Sequence, residues 1–279
     1  MVADTSTAPS TAESLPPSLP DSVPAPAPVL VPEPTVGGRL KRGSAAWVAM
    51  YHSVSDCPDD PYNVTVTPAR LERQLAWMAA RGLRGVSVRE LLAARARGAE
   101  RGLVGLTFDD GYTDFVTAAL PLLRRRGFTA TVFVLPGLLG GENTWEPIGP
   151  RKPLLDAAGI RRAVSAGMEV ASHGLTHVDL TKATDQVLRA EVDDSRHRLA
   201  AVIGDDVEGF CYPYGYLDER AADAVRRAGY RYACAISPGP SGCGDFALPR
   251  IHIGKADTAV RLELKRRFAR FYGRALEAA

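Results

Sequence analysis

The feature that most constrains this chain is a regular alternation of short apolar runs with longer stretches of helical spacing, beginning near Ala45. The apolar runs are rich in β-branched and aromatic residues, as buried strands are. The intervening stretches repeat apolar residues every three or four positions and are bounded by capping residues. Repeated strand–helix units predict an α/β fold in which parallel strands are joined by helical crossovers.

The same patterns give approximate bounds for each element. Strands are predicted at Ala46–Tyr51, Leu103–Phe108, Thr129–Val134, Met168–Ala171, Glu208–Cys211 and Tyr230–Ala235. Helices are predicted from Thr67 to Gly82, from Ser87 to Gly98, and over Phe115–Arg126, Ile160–Ala166, Asp185–Val202 and Asp218–Ala228. An amphipathic helix is expected at the C-terminus from the spacing of Val260, Leu264, Phe268 and Phe271 or Tyr272.

Residues 1–40 have a different composition, rich in Pro, Ala, Ser and Thr. Such a segment buries too little apolar surface to offset its ordering entropy, so we predict a disordered tail. Docking of this tail onto a partner is the alternative. Residues 41–279 are expected to form one domain, since a chain of 279 residues with 46% hydrophobic residues has ample material for a single core.

Charge and cysteine content exclude some functions and leave others open. A formal net charge of +2 gives no strong field for nucleic acid, and no apolar run is long enough to span a bilayer. No secretory signal is visible, so a cytoplasmic location is expected unless the start is mis-assigned or export is non-standard. No protein partner is evident. The cysteines form no C-x-x-C pair; buried free thiols are expected, with one or two disulfides as the alternative.

The first chemical motif is the pair Asp109 and Asp110, which ends an apolar strand and precedes a glycine. One carboxylate can bind a metal while its neighbour accepts a proton from water, and the metal charge allows both to remain ionised. Helix capping by an aspartate in this loop is the alternative.

The second motif contains two of the five histidines, His173 and His177, directly after another predicted strand. Histidines four residues apart can face one ion if the segment makes a turn. With Asp110 they would give three protein ligands for a divalent metal, most simply zinc, with cobalt, nickel or iron as alternatives.

The third motif, Tyr212-Pro213-Tyr214-Gly215, follows a strand and predicts either a rigid rim or a structural turn. In this order, the three motifs resemble the signature of the polysaccharide deacetylase family, also called carbohydrate esterase family 4 or the NodB-homology domain. Gly174 stands where the family has Ser or Thr, and the arginine that often precedes the third motif is missing. The resemblance covers about Ala45 to Ile253 and implies a distorted (β/α) barrel.

The resemblance also assigns roles. It makes Asp109 the general base, Asp110, His173 and His177 the metal ligands, and the Tyr214 backbone N–H an oxyanion donor. Tyr212, Pro213, Trp145 and Arg250 are expected around the substrate. For Trp145, stacking on a sugar and packing in the rim are both open; Arg250 is also a candidate for orienting a carboxylate or histidine.

The general acid has two candidates. Met50-Tyr51-His52-Ser53-Val54 resembles the Y-H-x-V motif of a branch that includes poly-N-acetylglucosamine deacetylases, in which the acid histidine follows the first strand. His252 has the late position usual in the family, but its sequence context differs. We therefore expect His52 to be the acid and keep His252 as the alternative.

Together these features predict a metal-dependent hydrolase that removes acetyl groups from N-acetylated sugars or glycans. No G-x-S-x-G nucleophile motif is present, which argues against a covalent serine route. Two alternatives remain: hydrolysis of a non-sugar or non-polymeric amide or ester on the same fold, and a non-catalytic glycan-binding relative.

Overall fold

The computed structural model describes residues 47–236 and 243–274. The tail predicted over residues 1–40 lies outside the described residues. The strands are β1 Trp47–Tyr51, β2 Ser53–Val54, β3 Thr65–Val66, β4 Arg84–Val86, β5 Leu103–Phe108, β6 Thr131–Val134, β7 Glu169–Ser172, β8 Gly209–Cys211, β9 Tyr232–Cys234 and β10 Ile251–His252.

Eight of these strands form one parallel sheet in the order β10-β1-β5-β6-β7-β8-β9, with β4 paired to the first half of β5. β2 and β3 form a separate parallel pair. The backbone of Leu248 pairs with β9, whereas Ile251 and His252, which follow after Pro249 and Arg250, pair with β1. The segment between them therefore joins the two edges of the curled sheet. This arrangement confirms the expected α/β fold of the distorted-barrel type.

The helices are α1 Pro68–Ala79, α2 Val88–Ala96, α3 Leu120–Arg125, α4 Ala157–Ser165, α5 Asp185–Arg189, α6 Ser195–Ile203, α7 Glu219–Arg227 and α8 Ala259–Arg274. The side chains of Thr67 and Ser87 cap α1 and α2 by accepting backbone N–H donors three residues on, as their sequence predicts.

Two predicted helices are interrupted. A π-helical turn, Phe115–Ala119, precedes α3, and a second one, Ala190–Asp194, separates α5 from α6. A π turn adds one residue to the turn and shifts the face that the helix presents. Single-sequence periodicity does not reveal such a shift, so the prediction of uninterrupted helices was wrong there. The second π turn carries the buried Glu191, which holds a loop of the site.

The core lies between the sheet and the helices packed around it. Tyr51, Phe108 and Phe115 form a chain of ring contacts, with centroids 5.2 and 5.1 Å apart, directly beneath the C-terminal end of β5. The side chains of these three rings are almost completely buried. The strand ends that carry the chemical motifs therefore rest on rigid packing.

The C-terminal helix confirms its predicted secondary structure but not the apolar face that we chose. In α8, Val260 and Leu264 are exposed, whereas Leu262 is fully buried. No helix in the described ranges is both long and apolar enough to cross a membrane. The four cysteines are free, as expected, and all but Cys57 are buried.

Candidate active site

Four strand ends meet at one edge of the sheet and surround a cavity of about 310 Å³. β1 brings His52, β5 brings Asp109 and Asp110, β7 brings His173, and β8 leads to the third motif. Because parallel strands place their carboxyl ends on the same side, residues distant in sequence share this cavity.

Asp110 is placed by a sharp turn directly after β5. Its φ is 71° and that of Gly111 is 67°, so two successive residues adopt the left-handed conformation. A non-glycine residue rarely adopts that conformation, and residues held in it cluster at active sites and ligand-binding sites. Glycine is required next, since a Cβ on Gly111 would lie 2.9 Å from Cγ1 of Val134.

The loop that carries the two histidines is organised by one buried carboxylate. Glu191 accepts hydrogen bonds from the backbone N–H groups of Leu175 (2.7 Å) and Thr176 (3.0 Å) and from the Thr176 hydroxyl. Gly174 has φ 82°, and a Cβ there would lie 2.9 Å from Oε2 of the same carboxylate. The departure from Ser or Thr at Gly174 is therefore accommodated by Glu191 instead of leaving the loop unsupported.

The imidazoles meet the free oxygen of Asp110. Nε2 of His173 and Nε2 of His177 both lie 3.4 Å from Asp110 Oδ1, too far for good hydrogen bonds. That oxygen is buried and has no hydrogen-bond partner among the described residues. Ligand atoms bound at 2.0–2.2 Å to a shared tetrahedral ion lie about 3.4 Å apart. The three residues therefore fit a first-row divalent metal, as the sequence predicted.

Asp110 and the two histidines shift one another's pKa values. Burial raises the pKa of Asp110, but the neighbouring imidazoles of His173 and His177 outweigh it and hold the pKa well below the ordinary value. His173 Nδ1 lies 2.8 Å from the carbonyl oxygen of Cys211, which can only accept a hydrogen bond. The neutral ring therefore carries its proton on Nδ1 and presents the Nε2 lone pair to the site.

Asp109 is held by Arg250 and is not available as a further ligand. The guanidinium donates from Nη1 to Oδ1 (2.6 Å) and from Nη2 to Oδ2 (2.8 Å) of Asp109. Its remaining N–H groups donate hydrogen bonds to Thr107 Oγ1, Cys211 Sγ and the Ala235 carbonyl oxygen. Burial opposes ionisation of Asp109, but Arg250 and nearby histidines leave its pKa lowered.

Arg250 lines the cavity, but its guanidinium is bound to Asp109, and contact with substrate stays a prediction. All its donors are committed within the protein, and the side chain is almost fully buried. Its alternative prediction, orientation of a carboxylate, is what the structure shows.

The two acid candidates occupy different places. His52 lines the central cavity, with Nε2 3.8 Å from Oδ2 of Asp109. His252, on β10, lies 6.3 Å from His52 between ring centroids and lines a neighbouring cavity with Asp257 and Lys265. The geometry therefore brings His52, and not His252, to the cavity lined by Asp110, His173 and His177.

The third motif forms part of the wall of the cavity. Tyr214 has φ 60°, lines the cavity and is 42% exposed. Tyr212 is fully buried and donates its hydroxyl to the Phe246 carbonyl (2.9 Å). Pro213 is buried and is not among the residues that line the cavity. Pro213 thus shapes the turn without lining the cavity, whereas the buried Tyr212 does line it, and substrate contact by either residue stays a prediction.

Trp145 lies at the cavity, as predicted, but one face of its indole is occupied. It stacks on His177 with centroids 4.5 Å apart and an interplanar angle of 20°. The next residue, Glu146, also lines the cavity and was missed by the sequence analysis. Its carboxylate accepts from Asn143 Nδ2 (2.5 Å) and faces the Tyr112 hydroxyl (3.4 Å). Burial and the negative charge of Asp110 raise its pKa.

Comparison with known proteins agrees with this geometry. The family model described as polysaccharide deacetylase matches residues 96–233, which include Asp109, Asp110, His173, His177 and Tyr214. YxkH of Bacillus subtilis, a candidate polysaccharide deacetylase, is 25% identical over 210 residues, covering 74% of this chain and 70% of YxkH. The poly-β-1,6-N-acetyl-D-glucosamine N-deacetylase of Staphylococcus aureus is 22% identical over 219 residues, covering 73% and 72%.

Solved structures share the fold. The deacetylase PplD of Streptococcus pyogenes, determined in complex with acetate, superposes with a TM-score of 0.66 at 24% identity, covering 78% of this chain and 96% of PplD. The sequence matches, the shared fold and the strand-end motifs lead to one assignment. The chain belongs to the polysaccharide deacetylase family, whose members are carbohydrate deacetylases that hydrolyse amide bonds.

Proposed function

We propose that this protein is a metal-dependent hydrolase that removes N-acetyl groups from glycans of the N-acetylglucosamine type and releases acetate. The observation that carries the proposal is that the imidazoles of His173 and His177 both face Oδ1 of Asp110, which has no hydrogen-bond partner among the described residues. A second carboxylate, that of Asp109, lies beside them and is held by Arg250.

Asp110, His173 and His177 would hold the metal, with zinc, cobalt, nickel and iron all compatible with one oxygen and two imidazole ligands. A bound ion of this class lowers the pKa of water and polarises an amide carbonyl. The Nδ1–H of His173 donates to a backbone carbonyl and so keeps Nε2 free for this role.

Asp109 accepts the proton of the attacking water. Its lowered pKa keeps it ionised at neutral pH, and the two bonds from Arg250 fix both of its oxygens. A base that is already oriented loses less entropy when the reaction begins.

His52 protonates the departing amine, since an amine must gain a proton to leave. Its place in the cavity next to Asp109 supports this role. The Tyr214 backbone N–H is proposed to stabilise the oxyanion that develops on the acetyl carbonyl oxygen.

A glycan substrate is supported by the carbohydrate deacetylases among the relatives and by the half-exposed ring of Tyr214 at the cavity. Aromatic rings present a flat apolar surface of the kind that packs on sugars. The chain retains the carboxylate proposed as the base and the three residues proposed to hold the metal, which favours an enzyme over a glycan-binding relative without activity.

The proposal is tested by measuring acetate release from β-1,6- and β-1,4-linked N-acetylglucosamine oligomers, the free N-acetylated sugar, and non-sugar amides. We expect release from the oligomers, its loss after chelation, and its recovery when zinc or cobalt is restored. Release from non-sugar amides alone would identify the alternative substrate class. Full release in metal-free protein would contradict the proposed mechanism.

A further inference from the structure

The two histidines of the metal site are held in different ways. His173 donates from Nδ1 to the Cys211 carbonyl, a bond of 2.8 Å that fixes both its ring orientation and its tautomer. His177 has no counterpart to this bond, because its Nδ1 is buried and has no hydrogen-bond partner among the described residues. Its backbone is also in the left-handed conformation, with φ 68°.

Two aromatic side chains surround the ring of His177 instead. Trp145 stacks on it with centroids 4.5 Å apart and an interplanar angle of 20°. Tyr214 meets it edge-on at 4.5 Å and 76°. Stacked and edge-to-face arrangements are the favoured geometries for such ring pairs.

The loop that carries Trp145 is itself anchored. The fully buried Asn143 pairs with Lys152 in both directions: its backbone N–H donates to the Lys152 carbonyl (3.2 Å), and its Oδ1 accepts from the Lys152 N–H (2.6 Å). The ammonium group of Lys152 then donates to Ser53 Oγ (2.9 Å) and Thr65 Oγ1 (2.5 Å) in β2 and β3. The stacking partner of His177 is therefore placed by a fixed support.

We infer that Trp145 is a positioning residue for the metal site: its indole orients the ring of His177 and replaces the hydrogen bond that His177 lacks. This inference rests on the metal site of the proposed function. Without the indole, the His177 ring can rotate about its side-chain bonds, and Nε2 loses its fixed place 3.4 Å from Asp110 Oδ1. The consequence falls on metal affinity, before any substrate is bound.

The test is a zinc affinity measurement by competition with a chromophoric chelator, on the wild type and three variants. Trp145→Ala removes the stack, and Trp145→Phe keeps an aromatic face. Tyr216→Ala is the matched control, because Tyr216 is an exposed aromatic residue that stacks on Tyr214 and not on His177. Loss of a group that orients a ligand typically weakens metal binding about 10- to 100-fold. We expect this loss in Trp145→Ala, much smaller loss in Trp145→Phe, and wild-type affinity in Tyr216→Ala.

Tryptophan emission gives a second readout that is independent of activity. The chain has three tryptophans, and the other two, Trp47 and Trp77, are buried in the core. Zinc should change the emission of the wild type, because the indole contacts a ligand ring, and this change should vanish in Trp145→Phe while that variant still binds zinc.

Wild-type zinc affinity in a folded Trp145→Ala protein would overturn the inference and leave the proposed function intact. The inference would also be overturned if zinc changed the tryptophan emission of Trp145→Phe as much as it changes that of the wild type. A wild-type protein that binds no divalent metal would overturn the proposed function, and the inference with it.

Discussion

Two buried carboxylates lie at opposite ends of the same parallel sheet. Glu169 begins β7, at the amino end of the strands, and Asp110 follows β5, at the carboxyl end. Each is about 4% exposed. Both therefore bear a similar cost of desolvation, yet their surroundings differ completely.

Both oxygens of Glu169 are hydrogen-bonded. Oε2 accepts from the Thr131 hydroxyl (2.6 Å) and the Arg89 N–H (3.0 Å), and Oε1 accepts from the Tyr232 hydroxyl (3.0 Å). One oxygen of Asp110 has no hydrogen-bond partner within the described part of the chain and faces the imidazoles of His173 and His177. A cation bound between this open oxygen and the two imidazoles would satisfy it, and Glu169 has no such opening.

The largest loss of activity is expected at the carboxyl end of the sheet, in Asp109→Asn. An amide cannot accept the water proton, so turnover should fall toward the upper part of the ~10²–10⁴-fold range typical of general acid–base groups. Metal content should persist, because Asp109 is held by Arg250 and is not a ligand.

The same change leaves the buried guanidinium of Arg250 without its counter-charge, so the free energy of unfolding should fall by about 3–5 kcal/mol. Turnover is therefore compared per folded, metal-loaded molecule. A variant within about tenfold of the wild-type turnover would show that Asp109 is structural, like Glu169.

A smaller and more selective effect is expected for His52→Ala. N-deacetylation should slow toward the lower part of the ~10²–10⁴-fold range, whereas hydrolysis of an aryl acetate should slow far less, because a phenolate leaves without a proton. The matched variant His252→Ala should affect both substrates modestly and to about the same degree. Leaving-group selectivity in His252→Ala instead would move the acid role to β10.

The smallest effect on activity is expected at the amino end. Glu169→Ala leaves three donors without an acceptor and should lower the free energy of unfolding by ~1–3 kcal/mol or more. Metal affinity and turnover per folded molecule should be unchanged. Loss of bound metal in Glu169→Ala would contradict the account that the amino end of the sheet is structural and only the carboxyl end binds metal.

The pH dependence of stability should distinguish Glu169 further. Burial raises its pKa, so the folded protein holds this proton more tightly than the unfolded chain does. Its contribution is fully present below the ordinary pKa and is lost as pH rises from that value through the raised one. Glu169→Gln resembles the protonated acid and should flatten this part of the stability curve, as measured by denaturant unfolding across the same pH range.

Sequence reasoning brought Asp109, Asp110, His173 and His177 to one candidate site because those residues follow strands within short motifs. It missed Glu191, which reaches the histidine loop from a π turn that periodicity does not show. It offered Arg250 as a residue that orients a carboxylate but could not identify Asp109 as the partner, because residues 141 positions apart cannot be paired from one sequence. The strands β2, β3 and β10 have only two residues each, too few for a periodic signal.

The central claim is that the open oxygen of Asp110 and the two histidines bind a metal. The most direct test is the zinc bound per chain at equilibrium dialysis in the wild type, Asp110→Asn and the buried-carboxylate control Glu169→Gln. The account predicts a single tightly bound ion in the wild type and in Glu169→Gln, and a large loss in Asp110→Asn with the fold retained. Equal zinc binding in Asp110→Asn and the wild type would contradict it.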